Sequence, residues 1–188
     1  MTAPVLQVII GSTRPGRVGL PVGEWFLALA RATGRFEVER VDLAEVNLPL
    51  LDEPRPPRLG QYEHDHTRRW SETVSRGDAF VFVVPEYNHG MNAATKNAID
   101  YLSREWRRKP VSFVSYGGVA AGTRSAQQFK QVAASLGMVI AVASVPIPNV
   151  RERVVDGVFR SDEALDALAE RMLDELAELT ELVRTRAQ

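Results

Sequence analysis

Residues 11–19 concentrate groups that bind phosphate. The segment lies between an apolar run, Val5–Ile10, and an amphipathic stretch, and it contains two hydroxyl side chains, two arginines and three glycines. A phosphate at the start of a helix meets free backbone N–H groups and the positive end of the helix dipole, and hydroxyl and guanidinium groups add further donors. We therefore interpret this segment as a phosphate-binding loop rather than a solvated glycine-rich turn.

Two familiar phosphate loops are excluded here. The Gly-x-x-x-x-Gly-Lys-Ser/Thr loop requires a lysine, and residues 11–19 contain none. The Gly-x-Gly-x-x-Gly pattern of a primary dinucleotide site is also missing after the first apolar run. The segment is therefore a phosphate loop of another kind.

Two further loops have the composition of a ligand site. Residues 85–92 follow the most apolar run of the chain and include Tyr87, whose ring offers an aromatic face. A flat aromatic ligand could lie there, held by backbone amides of Tyr87, Asn88 and their neighbours. Residues 115–122 contain the paired glycines Gly117 and Gly118, which permit a close backbone approach to a ligand.

The elements that must position these loops alternate along the chain. Strands are predicted at Val5–Ile10, Glu37–Asp42, 79–84, 111–115 and 138–143. Helices are predicted at 20–32, 62–76, 94–102, 125–136 (closed by Gly137) and after a capping Ser161. This alternation predicts one α/β domain over residues 1–188, a three-layer sandwich around a five-stranded parallel sheet of order 2-1-3-4-5. Ligands bind at the carboxyl ends of such strands, so the three loops should meet at one edge.

The composition of the chain excludes several classes of site and partner. The chain has 188 residues, a formal net charge of −1 and no cysteine, which excludes disulfides, thiolate metal sites and cysteine nucleophiles. A balanced charge creates no field that gathers nucleic acid or anionic lipid. The sequence shows neither a signal peptide nor an apolar run of about 20 residues. We expect a cytoplasmic protein with no metal site and with no nucleic-acid or membrane partner.

The motifs resemble those of the NADPH-dependent FMN reductases, flavodoxin-like enzymes that include quinone, azo and chromate reductases. The similarity spans residues 5–137 and is carried by Gly11-Ser12-Thr13-Arg14 with Gly16-Arg17, by Pro85-Glu86-Tyr87-Asn88-His89-Gly90, by Lys96-Asn97-Ala98-Ile99-Asp100-Tyr101 and by Ser115-Tyr116-Gly117-Gly118. Residues 91–94 depart from the family pattern, which has a small residue, proline and glycine there.

The resemblance implies a set of cofactor contacts. The FMN phosphate would be bound by Ser12, Arg14 and Arg17, with the backbone of Thr13 and Gly19. The polar edge of the isoalloxazine would contact Pro85, Glu86, Tyr87 and Asn88, and its opposite side would contact Ser115, Gly117 and Gly118. No catalytic side chain is predicted, because the flavin itself carries the redox chemistry. The role of His89 is left open.

The resemblance also implies NADPH as reductant and a homodimer or homotetramer. Arg14 or Arg17 could meet the 2′-phosphate of NADPH, but the sequence does not decide between NADPH and NADH. The apolar stripe of the last predicted helix fits either an oligomer interface or packing on the sheet. We expect ping-pong hydride transfer through FMN to a flavin, quinone, azo or metal-oxyanion acceptor.

Two alternatives stand beside this hypothesis. One is a flavodoxin-type electron carrier without NAD(P)H reductase activity, which the near-neutral charge and the two loop arginines disfavour because such carriers are typically acidic. The other is a nucleotide-binding protein with no redox function, which would take up no flavin.

Overall fold

Helices cover both faces of a mainly parallel sheet in the computed structural model, which describes residues 3–186. The strands are β1 Val5–Ile10, β2 Glu37–Asp42, β3 Ala79–Tyr87, β4 Gly90–Met91, β5 Pro110–Tyr116, β6 Val139–Ile140, β7 Val145–Ile147, β8 Val154–Val155 and β9 Val158–Phe159. The helices are α1 Gly19–Ala32, α2 Leu43–Val46, α3 Asp65–Arg76, α4 Ala93–Asp100, α5 Thr123–Ser135 and α6 Glu163–Thr185, with 3₁₀ turns at Pro57–Leu59 and Val150–Arg153.

The sheet has the predicted flavodoxin-like order. The main strands run β2-β1-β3-β5-β6, which are the second, first, third, fourth and fifth predicted strands. The structure adds two short strands, because β4 pairs antiparallel with β3, and β7 pairs with β5 beyond β6. A separate hairpin joins β8 and β9.

The fifth predicted strand, residues 138–143, is interrupted. The carboxylate of Glu175 accepts hydrogen bonds from the backbone N–H groups of Val142 and Ala143, both at 2.7 Å. The Ser112 hydroxyl donates to the carbonyl of Ala143 at 2.6 Å. These backbone groups therefore leave the ladder, and pairing with β5 resumes only at β7.

Alternate side chains of β3 enter the two cores of the domain. Val81 and Val83 pack with α1 and α6, whereas Phe80 and Phe82 pack with α3, α4 and α5. Burial on both faces explains why this strand is continuously apolar. The same arrangement places the carboxyl end of β3 in the middle of the sheet edge, between those of β1 and β5.

Helix α6 lies against its own sheet. Its buried stripe joins the core beneath β1 and β5, and it comprises Leu165, Ala169, Met172, Leu173 and Leu176. The predicted cap Ser161 is wrong, because Asp162 accepts the N–H of Leu165 at 2.9 Å and α6 begins one residue later. No helix within residues 3–186 combines the length and apolarity needed to cross a bilayer.

Candidate functional site

A cavity of about 690 Å³ opens at the carboxyl ends of β1, β3, β5 and β7. This volume is typical of pockets for cofactors and other small ligands. It brings together eight predicted site residues: Ser12, Arg14, Pro85, Glu86, Tyr87, Asn88, Gly117 and Gly118. The other four predicted residues, Thr13, Arg17, Gly19 and Ser115, do not line it.

A tight turn shapes the first loop. The N–H of Arg17 donates to the carbonyl of Arg14 at 3.2 Å, with Pro15 and Gly16 between them. Gly16 has a φ of +65°, so the turn has the proline and glycine positions of type II. The Ser12 hydroxyl, on the cavity side, shares a hydrogen bond of 3.1 Å with the hydroxyl of Tyr87 and so joins the first loop to the second.

The Arg17 guanidinium binds protein groups behind this loop. Its two terminal nitrogens donate to the two carboxylate oxygens of Asp42 at 2.6 and 2.5 Å. One of them also donates to the carbonyl of Ser12 at 2.6 Å. Asp42 ends the edge strand β2 and its side chain is fully buried. Arg17 therefore fixes the backbone of the loop from outside the cavity.

The second loop is a two-residue hairpin between β3 and β4. Tyr87 pairs with Gly90, and the intervening Asn88 and His89 have φ values of +49° and +67°. Positive φ at both central residues is characteristic of a type I′ turn. The hairpin holds Tyr87 and Asn88 at the cavity, whereas His89 is exposed on the turn and does not line it.

A buried amide network joins the start of α4 to the end of β1. The Asn92 side-chain amide N–H donates to the backbone carbonyl of Gly11 at 2.7 Å, and the Thr95 hydroxyl donates to the side-chain Oδ1 of Asn92 at 2.8 Å. Both side chains are buried. This network shows how residues 91–94, which depart from the family pattern, still support the first loop. In the sequence, the signal for this network was the pair of polar residues Asn92 and Thr95, three apart at the start of a predicted helix.

Ser115 and Glu86 brace the third loop. The Ser115 hydroxyl donates to the carbonyl of Ala121 at 2.9 Å, so this side chain closes the loop on itself. The Glu86 carboxylate accepts from the backbone N–H of Arg124 at 3.1 Å and from its guanidinium at 2.7 Å. The carboxylate thus ties the second loop to the N-terminus of α5, where negative charge is favourable.

A fourth segment, which the sequence analysis did not consider, completes the cavity. Residues 149–152 follow β7 and all four line the wall. The backbone N–H groups of Asn149 and Val150 donate to the carbonyls of Gly118 and Gly117 at 3.1 and 3.0 Å. The sequence did offer a signal for this segment, because Pro148 and Asn149 indicate a loop after the fifth predicted strand, and that strand ends at the same sheet edge as the other three.

Tyr116 presents a buried hydroxyl beside the first loop. The side chain is 3% exposed, and its hydroxyl makes no hydrogen bond of ordinary geometry to the described residues, although the Ser12 hydroxyl lies close. Burial raises the pKa of Tyr116 well above its usual value, so the group is a neutral donor. A Cβ on Gly19 would lie 2.2 Å from this hydroxyl oxygen. Glycine at the start of α1 therefore leaves room for the Tyr116 hydroxyl beside the first loop.

Sequence comparisons identify relatives of this chain. A sequence model of the family described as NADPH-dependent FMN reductase matches residues 5–152. An NAD(P)H-dependent FMN reductase of Schizosaccharomyces pombe is 38% identical over 157 residues, covering 82% of this chain and 78% of the relative. A second NAD(P)H-dependent FMN reductase, from Nectria sp, is 34% identical and covers 93% of this chain and 96% of the relative.

The fold is also that of a solved flavoenzyme. The NAD(P)H:acceptor oxidoreductase FerB of Paracoccus denitrificans superposes with a TM-score of 0.76 at 20% identity, covering 94% of this chain and 98% of that one. At this identity the likeness supports the fold alone.

Proposed function

The chain belongs to the NADPH-dependent FMN reductase family, and from this premise we propose that it is an FMN-dependent NAD(P)H oxidoreductase with its cofactor in the cavity described above. The observation that carries the proposal is the buried Tyr116 hydroxyl, which faces a phosphate loop and lacks a hydrogen bond of ordinary geometry. A phosphate oxygen would accept from it. We further propose that residues 1–188 act as one FMN-binding domain.

The phosphate would be held at the start of α1. This helix has no side-chain cap and no acidic residue in its first turn, so its free N–H groups and positive dipole end are available to an anion. Ser12 and Arg14 line the cavity there and supply hydroxyl and guanidinium donors. Thr13 and Gly19 would contribute backbone alone. Arg17 would act as a positioning residue through Ser12.

The flavin ring would lie between the second and third loops. Pro85, Glu86, Tyr87 and Asn88 line one side of the cavity, and Gly117 and Gly118 line the other. Backbone N–H groups of these loops would donate to the polar edge of the ring and stabilise negative charge there. The hairpin and the Glu86 contacts hold both loops before the cofactor arrives.

The chain itself needs to bind the cofactor, orient its ring and shield the reaction from water. Bound FMN would supply the hydride chemistry, taking electrons from NADPH and passing them to a small acceptor. Because a single cavity would admit both the nicotinamide and the acceptor, we propose that they bind in turn, which gives ping-pong kinetics. Quinones, azo dyes, metal oxyanions and free flavin are the acceptor classes to test.

Arg14→Met should weaken FMN binding about tenfold, because a charge-assisted hydrogen bond to phosphate contributes roughly 1.5–3 kcal/mol. Fluorescence titration of the FMN-free protein measures the dissociation constant. Arg31→Met is the matched control, since Arg31 is exposed in the last turn of α1, at the end of the helix away from the first loop. Equal losses in both variants would mean that Arg14 does not contact the phosphate.

Anaerobic mixing with NADPH tests the activity itself. We expect the flavin absorbance of the parent protein to bleach without an acceptor and to return when a quinone is added. A protein that binds FMN but stays oxidised with either nicotinamide nucleotide would be an electron carrier. A protein that takes up no FMN would exclude the proposal altogether.

Tyr116→Phe should change stability and affinity in opposite directions. Removing a buried hydroxyl that lacks an ordinary hydrogen bond should leave the FMN-free protein equally stable or stabilise it by about 1 kcal/mol, whereas FMN affinity should fall about fivefold to tenfold. Urea unfolding and FMN titration measure the two effects. Tyr101→Phe is the control, because its buried hydroxyl already donates to Asp52 at 3.0 Å. That variant should lose stability and keep its FMN affinity. A destabilised Tyr116→Phe with unchanged affinity would contradict the assignment.

We also propose a homodimer or homotetramer, as the resemblance implies. The stripe of α6 is buried against the chain's own sheet, so the interface would lie elsewhere. Light scattering coupled to gel filtration measures the subunit number, and a monomer at micromolar concentration would contradict this proposal.

A further inference from the structure

Two arginines line the cavity, and two others beside its loops are engaged by carboxylates. Arg17 is bound to Asp42, and Arg124 is bound to Glu86 at 2.7 Å. Arg14 and Arg151 line the cavity, and within residues 3–186 neither guanidinium forms an ion pair or a hydrogen bond with another side chain. These two cations are therefore available to anionic ligands.

The sheet separates these two arginines. Arg14 follows β1 and Arg151 follows β7, with β3 and β5 between them at the sheet edge. Neighbouring strands lie about 4.8 Å apart, so three spacings place the two strand ends roughly 14 Å from each other. One phosphate held at the start of α1 is too small to occupy both ends. If the first loop holds the FMN phosphate, Arg151 is left to meet a different anionic group at the far end of the cavity.

The turn that carries Arg151 is firmly held. Its preceding residues Asn149 and Val150 donate backbone hydrogen bonds to the third loop, and Val150 is buried. At the other end of the turn, Arg153 pairs with Asp162 at 2.9 Å. Glu152 also lines the cavity, so this end is not generally basic. At this end of the cavity, selectivity for an anionic ligand would come from direct contact with the Arg151 guanidinium rather than from a diffuse positive field.

We propose that Arg151 binds the 2′-phosphate of NADPH and so makes this cavity prefer NADPH to NADH. The inference rests on the function proposed above, because it takes the first loop as the site of the FMN phosphate. NADPH differs from NADH only by that phosphate, and a planar guanidinium can donate two parallel hydrogen bonds to it. The proposal thus assigns the 2′-phosphate to neither Arg14 nor Arg17, the two residues that the sequence suggested for it.

The variant Arg151→Met tests the assignment, and Arg160→Met is its control. Both variants lose one positive charge from the same region, but Arg160 is exposed after β9 and does not line the cavity. For Arg151→Met, kcat/KM for NADPH should fall about tenfold while that for NADH stays within about twofold, the size expected of one charge-assisted contact. The FMN dissociation constant should not change. Arg160→Met should leave all three quantities unchanged.

A binding measurement provides a readout besides activity. Calorimetric titration of the FMN-loaded protein with adenosine 2′,5′-bisphosphate should show about tenfold weaker binding to Arg151→Met, whereas adenosine 5′-monophosphate should bind both proteins alike. Equal losses for NADPH and NADH, an equal loss in Arg160→Met, or a parent protein that prefers NADH would each overturn the assignment. A parent that takes up no FMN would instead refute the proposed function, and titrating the FMN-free protein with the bisphosphate would then decide the role of Arg151.

Discussion

Asp42→Asn should destabilise the FMN-free protein by about 3 kcal/mol, the lower end of the range for breaking a buried ion pair. Its carboxylate is fully buried, and it accepts from Arg17, from Arg40 at 2.9 Å and from the N–H of Ala44 at 3.0 Å. An amide at this position leaves Arg17 without its counter-charge. The lower end applies because the Arg17 side chain remains 14% exposed. Urea unfolding measures the change.

The same substitution should weaken FMN binding about tenfold. Arg17 holds the carbonyl of Ser12 while it is itself held by Asp42, so losing the carboxylate frees the loop that presents Ser12 and Arg14. Affinity would then fall because binding must also order the loop, and ordering a few residues costs about 1 kcal/mol or more. The control is Glu45→Gln, whose carboxylate is 65% exposed and also pairs with Arg40. That variant should change stability by about 0.5 kcal/mol or less.

A double-mutant cycle separates the two roles available to Arg17. If Arg17 positions the loop, Arg17→Met and Asp42→Asn should each weaken FMN binding, and the double variant should be little worse than either single one. If Arg17 instead turns into the cavity to reach the phosphate, Asp42→Asn should tighten FMN binding. Tighter binding would refute the positioning role and support direct contact, which the family resemblance implies.

Helices and strands could be predicted from the sequence where a short-range residue pattern alone determines them. Strands β1 and β2 have the predicted bounds, although the burial of β2 does not alternate as its residue types do, because its last residue Asp42 is buried against Arg17. The convergence of the three loops followed from the parallel order, since every strand presents its carboxyl end at the same edge. The broken fifth strand was not predictable in this way. Its interruption depends on Glu175, more than thirty residues further along the chain.

The residue types of the candidate site were predictable from the sequence, but the contacts between its residues were not. Arg17 has the residue type and spacing of a phosphate ligand, yet its partner Asp42 lies at the end of a neighbouring strand, opposite Ile10 in the register of β1 and β2. The role proposed for Arg151 had no local signal in the sequence, because it depends on which strand precedes this residue. Tyr116 was visible only as part of a motif, and its proximity to Gly19 arises from packing between a strand end and a helix start.

Gly19→Ala should weaken FMN binding by about tenfold to a hundredfold and destabilise the FMN-free protein by roughly 1–3 kcal/mol, the range for inserting a methyl group into a packed site. The new Cβ would lie 2.2 Å from the hydroxyl oxygen of Tyr116 and 3.2 Å from the Cβ of Ser12. Tyr116 is buried at the end of β5, so the clash must move either its hydroxyl or the start of α1. Both groups belong to the proposed phosphate site. Urea unfolding and FMN titration measure the two losses.

Two further variants distinguish a clash within the protein from a clash with the ligand. A Cβ on Gly118 would meet no protein atom within 4 Å, so Gly118→Ala should keep the stability of the FMN-free protein and lose affinity only if the flavin lies against it. Gly19→Ala combined with Tyr116→Phe removes the oxygen of the closest contact, so the pair should regain much of the lost stability without regaining affinity. Recovery of both properties would show that the Tyr116 hydroxyl does not contact the phosphate. A stable Gly19→Ala that binds FMN normally would place the phosphate away from the start of α1.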